Sequence, residues 1–137
     1  GALVAGIDAG RTYTDWPLMA GGILPPDFWI AELGWRNLFE NPGLVQFVHR
    51  VVGYALLAFA IMVWLKGRRS ANRATGAAFT AAFIVMCAQV VLGIVTVLYV
   101  APWQIAIVHQ VLAVVLWVLI LRARFLSRYP LAQSVRV

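Results

Sequence analysis

The sequence predicts an all-α protein, a polytopic transmembrane helix bundle with three complete spans and the end of a fourth. Composition is the first observation behind this. The chain is 63% hydrophobic and 12% charged, whereas a water-facing domain averages roughly 45–50% apolar and about 25% charged. The second is the length of its uncharged runs. Ala77 to Val100 contains no Asp, Glu, Lys or Arg, and neither does Ala101 to Leu121. Leu44 to Leu65 is interrupted only by His49 and Arg50. The third is that the charges gather between these runs. A single cysteine excludes an internal disulfide framework and a multi-thiolate zinc site.

Residues 1–10, rich in Gly and Ala, carry no basic leader and no cleavage pattern, so they do not read as a signal peptide. They read as the last turns of a truncated transmembrane helix, with Gly1, Gly6 and Gly10 suited to close packing. Residues 11–41 read as an outer, periplasmic loop. Pro17, Pro25 and Pro26 break helices there. Asp27 to Phe39 then places aromatic and aliphatic residues on a helical period, with Asp27 as an N-cap candidate. This predicts a short interfacial helix, with Trp16, Trp29, Trp35 and Trp103 at the membrane boundary.

Three transmembrane helices follow, at 43–65, 77–99 and 102–121, because about 20 apolar residues at roughly 1.5 Å rise cross a hydrocarbon core. Residues 122–137 form a tail. Lys66, Arg68, Arg69 and Arg73 lie between the first two spans, and Arg122, Arg124, Arg128 and Arg136 follow the third, with no acid in either group. All five carboxylates lie before the first span, none beyond Glu40. The positive-inside rule therefore places both basic segments in the cytoplasm. The net charge of +6 is topogenic, and nucleic acid is not the expected partner; the lipid bilayer is.

The chain has only two histidines, His49 and His109, and both fall inside predicted spans. Intramembrane ionisable groups default to a functional reading. Asn41-Pro42 and Ala101-Pro102 both read as helix starts, and each histidine stands seven positions after its proline. Seven rises place each imidazole roughly 10 Å below the helix end. The first and third spans run in the same direction, so the two rings share one depth. That arrangement suits a flat metal macrocycle held by one imidazole on each side, and points to haem. Zinc is disfavoured, since no thiolate or carboxylate completes a four-ligand set.

The neighbours fit. Gly53 lies one turn below His49, and Gln89, Gly93 and Thr96 form a stripe on the second span. Arg50 and Gln110 follow the histidines, Arg50 as a partner for an acidic edge of the macrocycle, and Tyr54 adds a polar contact. Cys87, mid-span, reads as a packing residue. The candidate cofactor-binding set is His49, His109, Arg50, Gly53, Gly93 and Gln110, with His49 and His109 as metal ligands. There is no Gly-rich phosphate loop and no Ser/His/Asp constellation.

Several stretches together resemble the C-terminal half of the haem A synthase family, membrane oxidoreductases that convert haem O to haem A. They are Gly1 to Gly10, Thr14-Asp-Trp-Pro-Leu-Met19, Asn37-Leu-Phe-Glu-Asn41, Val45-Gln-Phe-Val-His-Arg50, Gln89-Val-Val-Leu-Gly-Ile-Val-Thr96 and His109-Gln110. The resemblance implies an eight-helix protein of two similar halves in a bacterial inner membrane. The C-terminal half holds haem b through two histidines that map onto His49 and His109. The N-terminal half, outside this sequence, takes the substrate haem O with its own histidine pair and an essential glutamate. Glu32 and Glu40 do not match that glutamate, so no catalytic residue is carried over. The outer loop lacks the cysteine pair of some relatives, and Asp15 stands where many have Asn. A homo-oligomer is compatible with this reading. The rival readings are a non-catalytic membrane cytochrome b subunit that takes electrons from quinol, and a structural membrane subunit with buried histidines.

Overall fold

A computed structural model of the chain describes residues 1–132, so the last residues of the expected tail lie outside it. The elements in order are α1 (Ala2–Gly6), a 3-10 turn (Ala9–Arg11), a second 3-10 turn (Ala31–Arg36), α2 (Asn37–Glu40), and the long helices α3 (Pro42–Gly67), α4 (Arg73–Leu98) and α5 (Trp103–Arg128). Each long helix has 26 residues and is apolar enough to cross a membrane. At a rise of roughly 1.5 Å per residue each is about 39 Å long.

The ends of the long helices follow from local chemistry. Asn41 caps α3, its Oδ1 accepting from the Leu44 N–H at 3.1 Å, with Pro42 in the first turn. Asn72 caps α4 in the same way through the Thr75 N–H at 3.1 Å, so α4 begins a full turn before the expected start. Pro102 has ψ 139 and is the cap of α5 rather than its first helical residue. His109 therefore stands one position nearer its helix start than His49 does. Beyond residue 121, α5 runs on through Arg122 and Arg124, which are good helix formers, and stops ahead of Pro130. The expected tail is thus partly helical.

α4 packs along both α3 and α5, which do not pack extensively on each other. The contacts that tie the three together gather at the basic end. Trp64 of α3 stacks on Phe83 of α4, with centroids 4.5 Å apart, and its Nε1 donates to Thr80 Oγ1 at 3.3 Å. Thr75 Oγ1 of α4 donates to the Leu126 carbonyl of α5 at 3.0 Å, over a cluster of Ala78, Ala123, Leu126 and Phe79. At the other end α3 and α5 stand apart, and a cavity opens there. The faces turned away from the bundle are apolar and exposed, Phe59, Ile84 and Trp117 among them, as hydrocarbon contact requires. Cys87 is exposed on such a face; it does not fill the interior of this chain as expected.

The segment before α3 departs from the single helix expected over Asp27 to Phe39. Gly34 takes φ 51, ψ −128, a conformation open to glycine, and splits it into the 3-10 turn and the one-turn α2. Asp27 caps nothing. Its carboxylate accepts from the Tyr13 hydroxyl, and its carbonyl accepts from Asn41 Nδ2 at 2.7 Å. Trp16, Trp29, Trp35 and Trp103 are exposed at this end.

Two fully buried amides organise this segment. Asn37 donates to the Ile30 and Gly34 carbonyls at 2.7 and 2.8 Å and accepts from the Ile30 N–H at 2.9 Å. Asn41 Nδ2 also donates to Asn37 Oδ1 at 3.0 Å. Asn41→Ala removes a cap and strands buried polar partners. The expected cost is ~2 kcal/mol or more, seen as a lower melting temperature of the full-length protein in detergent, while Glu32→Ala on the exposed turn leaves it unchanged.

Candidate functional site

The cavity at the loop end has a volume of about 610 Å³, within the range of small-molecule sites. Its walls come from α3, α4, α5 and the segment before α3. α3 contributes His49, Arg50, Gly53 and Tyr54; α4 contributes Gln89, Gly93 and Thr96; α5 contributes His109 and Gln110. The structure thus brings every sequence-predicted site residue to one cavity. The remaining lining is largely apolar, including Leu56, Met86, Val90, Ile94 and Leu116.

His49 and His109 project from the two helices that flank the gap, with α4 as its floor. The His109 ring lies over Gly93. A side chain there would put its first carbon 3.1 Å from His109 Cε1 and 3.6 Å from Nε2. Gly93 therefore gives room to the imidazole itself. Gly53 is different: nothing stands within 4 Å of the place its side chain would take, so it leaves open space beneath His49. Gln89 Nε2 donates to the His109 carbonyl at 2.9 Å and locks α4 to α5 beside the ring. Gln89 Oε1 and His109 Nδ1 are buried without a hydrogen-bond partner. Thr96 is self-satisfied, its hydroxyl donating to the Leu92 carbonyl at 2.7 Å.

Arg50 lines the cavity and also reaches the segment before α3. Its Nη1 donates to the Asp15 and Leu18 carbonyls, both at 3.0 Å, and Nη2 to the Tyr13 carbonyl at 3.1 Å. Its Nε is buried and unpaired. The residue that sequence reasoning left without a role is Gln46, one turn before Arg50 and 1% exposed. Its amide bonds both the N–H and the carbonyl of Tyr13, at 3.1 and 2.8 Å. The available signal was its spacing: a neutral amide one turn before Arg50 shares its helix face.

Electrostatics outside the spans reinforce this segment. Asp15 is held below the usual carboxylate range, first by the Gly21 N–H and also by the Ala20 N–H and Arg50. Its grip on the turn is therefore present at neutral pH and is lost as pH falls through that lowered value. Burial, then the hydrogen bond to Asp27, push the Tyr13 hydroxyl up to about 12. The protonated Tyr13–Asp27 contact thus persists through the ordinary tyrosine range and fails as pH rises toward about 12.

Among the described residues, no three His, Cys, Asp or Glu side chains converge as a metal-ligand cluster. Two imidazoles alone suit a metal that brings its own in-plane ligands. An apolar cavity of this size, with a buried unpaired imidazole nitrogen and a glycine that leaves open space, fits a haem-type group.

Fold and cavity together define a multi-pass helical membrane protein with a cavity lined by both of its histidines. The chain belongs to the cytochrome oxidase assembly protein family (COX15-CtaA), whose pattern matches residues 1–121. It is 68% identical over 136 residues to a heme A synthase of Ruegeria pomeroyi, covering 99% of this chain and 36% of that relative. Over the same shares it is 65% identical to a heme A synthase of another Ruegeria strain and 54% identical to that of Paracoccus denitrificans. The chain thus spans little more than a third of the length of these relatives. No solved structure matches it.

Proposed function

We propose that this chain is the haem b-binding part of a haem A synthase, with His49 and His109 as the two axial ligands. The observation that carries the reading is the convergence of both histidines on one largely apolar cavity between α3 and α5. The relatives' shared name, heme A synthase, supports a role in haem A biosynthesis, with oxidation of the haem O methyl group to a formyl as the activity of the whole protein. The basic end faces the cytoplasm and the cavity lies toward the outer face of the bacterial inner membrane.

A haem held by His49 and His109 would supply one-electron transfer. The chain's own residues do the rest. His49 and His109 hold the metal from two helices. Gln89 fixes the α5 backbone at His109, and Gly93 lets that ring lie against α4. Gly53 leaves space for the ring edge, and Gln110 offers a polar contact at the cavity wall. Leu56, Val90, Ile94 and Leu116 exclude water, which keeps the site apolar. Neither glutamate of this chain lines the cavity.

The test is to purify the full-length protein, saturate it with haem b and record reduced-minus-oxidised spectra. A low-spin spectrum with one haem held by this part of the protein supports the reading. A full-length protein that takes up no haem beyond its other half refutes it.

A further inference from the structure

The side chains Gln46, Arg50 and Tyr54 stand at i, i+4 and i+8 on one face of α3, and each is bonded to a segment far earlier in the chain. Gln46 brackets Tyr13 through its N–H and its carbonyl. Arg50 collects the carbonyls of Tyr13, Asp15 and Leu18. Trp16 Nε1 donates to the Tyr54 hydroxyl at 2.9 Å. Asp15 closes the turn beyond, accepting from the Ala20 and Gly21 N–H groups, both at 3.1 Å. The bonded segment is irregular backbone at the end of apolar helices, where unpaired carbonyls are costly. The same segment forms a wall of the cavity through Gly10, Arg11 and Trp16.

We propose that Gln46 and Arg50 are positioning residues that hold segment 10–18 as the outer wall of the histidine cavity. Arg50 commits both terminal nitrogens to backbone carbonyls and keeps Nε unpaired. This rests on the haem reading for what the cavity holds, but the strap itself exists without a ligand. Its effect on the site is retention: with the wall in place a bound macrocycle cannot leave toward the loop end.

The experiment uses the full-length protein, haem-free and haem-loaded, with Arg50→Gln, Gln46→Leu and the conservative Arg50→Lys. Hydrogen exchange of residues 10–21 is measured in the haem-free form, and haem release to apomyoglobin in the loaded form. Arg50→Gln and Gln46→Leu are expected to speed exchange about 10-fold, the scale of one lost hydrogen bond to a charged or buried group. Haem release quickens by a similar factor while the low-spin spectrum is retained, and Arg50→Lys recovers part of both. Tyr54→Phe, which removes one bond and no charge, gives a smaller rise around Trp16 and serves if the stronger variants fail to fold. Unchanged exchange in the haem-free variants overturns the strap. Faster exchange with unchanged release overturns its link to the site. Loss of the spectrum in Arg50→Gln with unchanged exchange makes Arg50 a direct ligand contact and overturns the assignment. A wild type that binds no haem refutes the haem reading, and the haem-free exchange still judges the strap.

Discussion

His49→Ala and His109→Ala, each made in the full-length protein, are expected to remove the low-spin haem spectrum of this part of the molecule. Mutating a mere supporting partner of a metal ligand typically costs roughly 10–100-fold in affinity. Deleting an axial ligand in a largely apolar cavity, where no third His, Cys, Asp or Glu converges with the two histidines among the described residues, costs ~100-fold or more on that scale. Each substitution also leaves a space of imidazole size, so millimolar free imidazole is expected to restore the spectrum in part. The absence of rescue, with a folded protein, argues that the helices close when the ring is removed. Retention of the full spectrum in either variant refutes the two-imidazole site. The two variants are expected to behave alike, because both rings line the same cavity from flanking helices.

The membrane-spanning part was legible because its signals are local. A long apolar run in lipid has only the helix to satisfy its backbone, so α3, α4 and α5 could be placed from composition alone. Asn41 is used as a cap, as its place before Pro42 announces, whereas the cap at Asn72 lies a turn ahead of the apolar run and was missed. The meeting of His49 and His109 at one cavity followed from counting: odd-numbered spans run in the same direction, and equal offsets give nearly equal depth. The one-position discrepancy at Pro102 does not separate them.

The segment before α3 was not legible, for a physical reason. Its conformation is set by hydrogen bonds of long sequence separation, such as Gln46 to Tyr13 across 33 residues and Arg50 to Tyr13 across 37. Nothing in the local pattern of residues 27–39 encodes them. Gly34 lies inside the helix expected over Asp27 to Phe39 and is where it breaks. Arg50 illustrates the same limit. A buried cation in a span demands partners, and the sequence offers no acid within the helix. That backbone carbonyls of a distant loop meet the demand is a property of the folded chain only. Gly93 stood in the sequence only as the middle of a stripe with Gln89 and Thr96, and what lies against it is the His109 ring.

Gly93 therefore carries the second large expected effect. A methyl group at this position sits 3.1 Å from His109 Cε1 and 3.7 Å from Nδ1, closer than carbon atoms normally come. The ring must shift by a few tenths of an ångström. Gly93→Ala gains up to about 1 kcal/mol of helix propensity, which offsets part of a ~1–3 kcal/mol overpacking cost, so the protein still folds. The imidazole, however, is tilted away from α4, and the low-spin electron paramagnetic resonance signal is expected to broaden or move. Gly93→Leu goes further. Its side chain occupies the volume of the ring, His109 is driven out, and the spectrum is lost as in His109→Ala. Gly53→Ala is the informative contrast, because nothing stands within 4 Å of its added carbon. It leaves both rings where they are in the haem-free protein and takes space from the bound group instead. The expected signature is weaker haem binding with an unshifted resonance signal. If Gly93→Leu and Gly53→Ala gave the same spectrum and affinity as wild type, the cavity between α3 and α5 would not be where the haem binds.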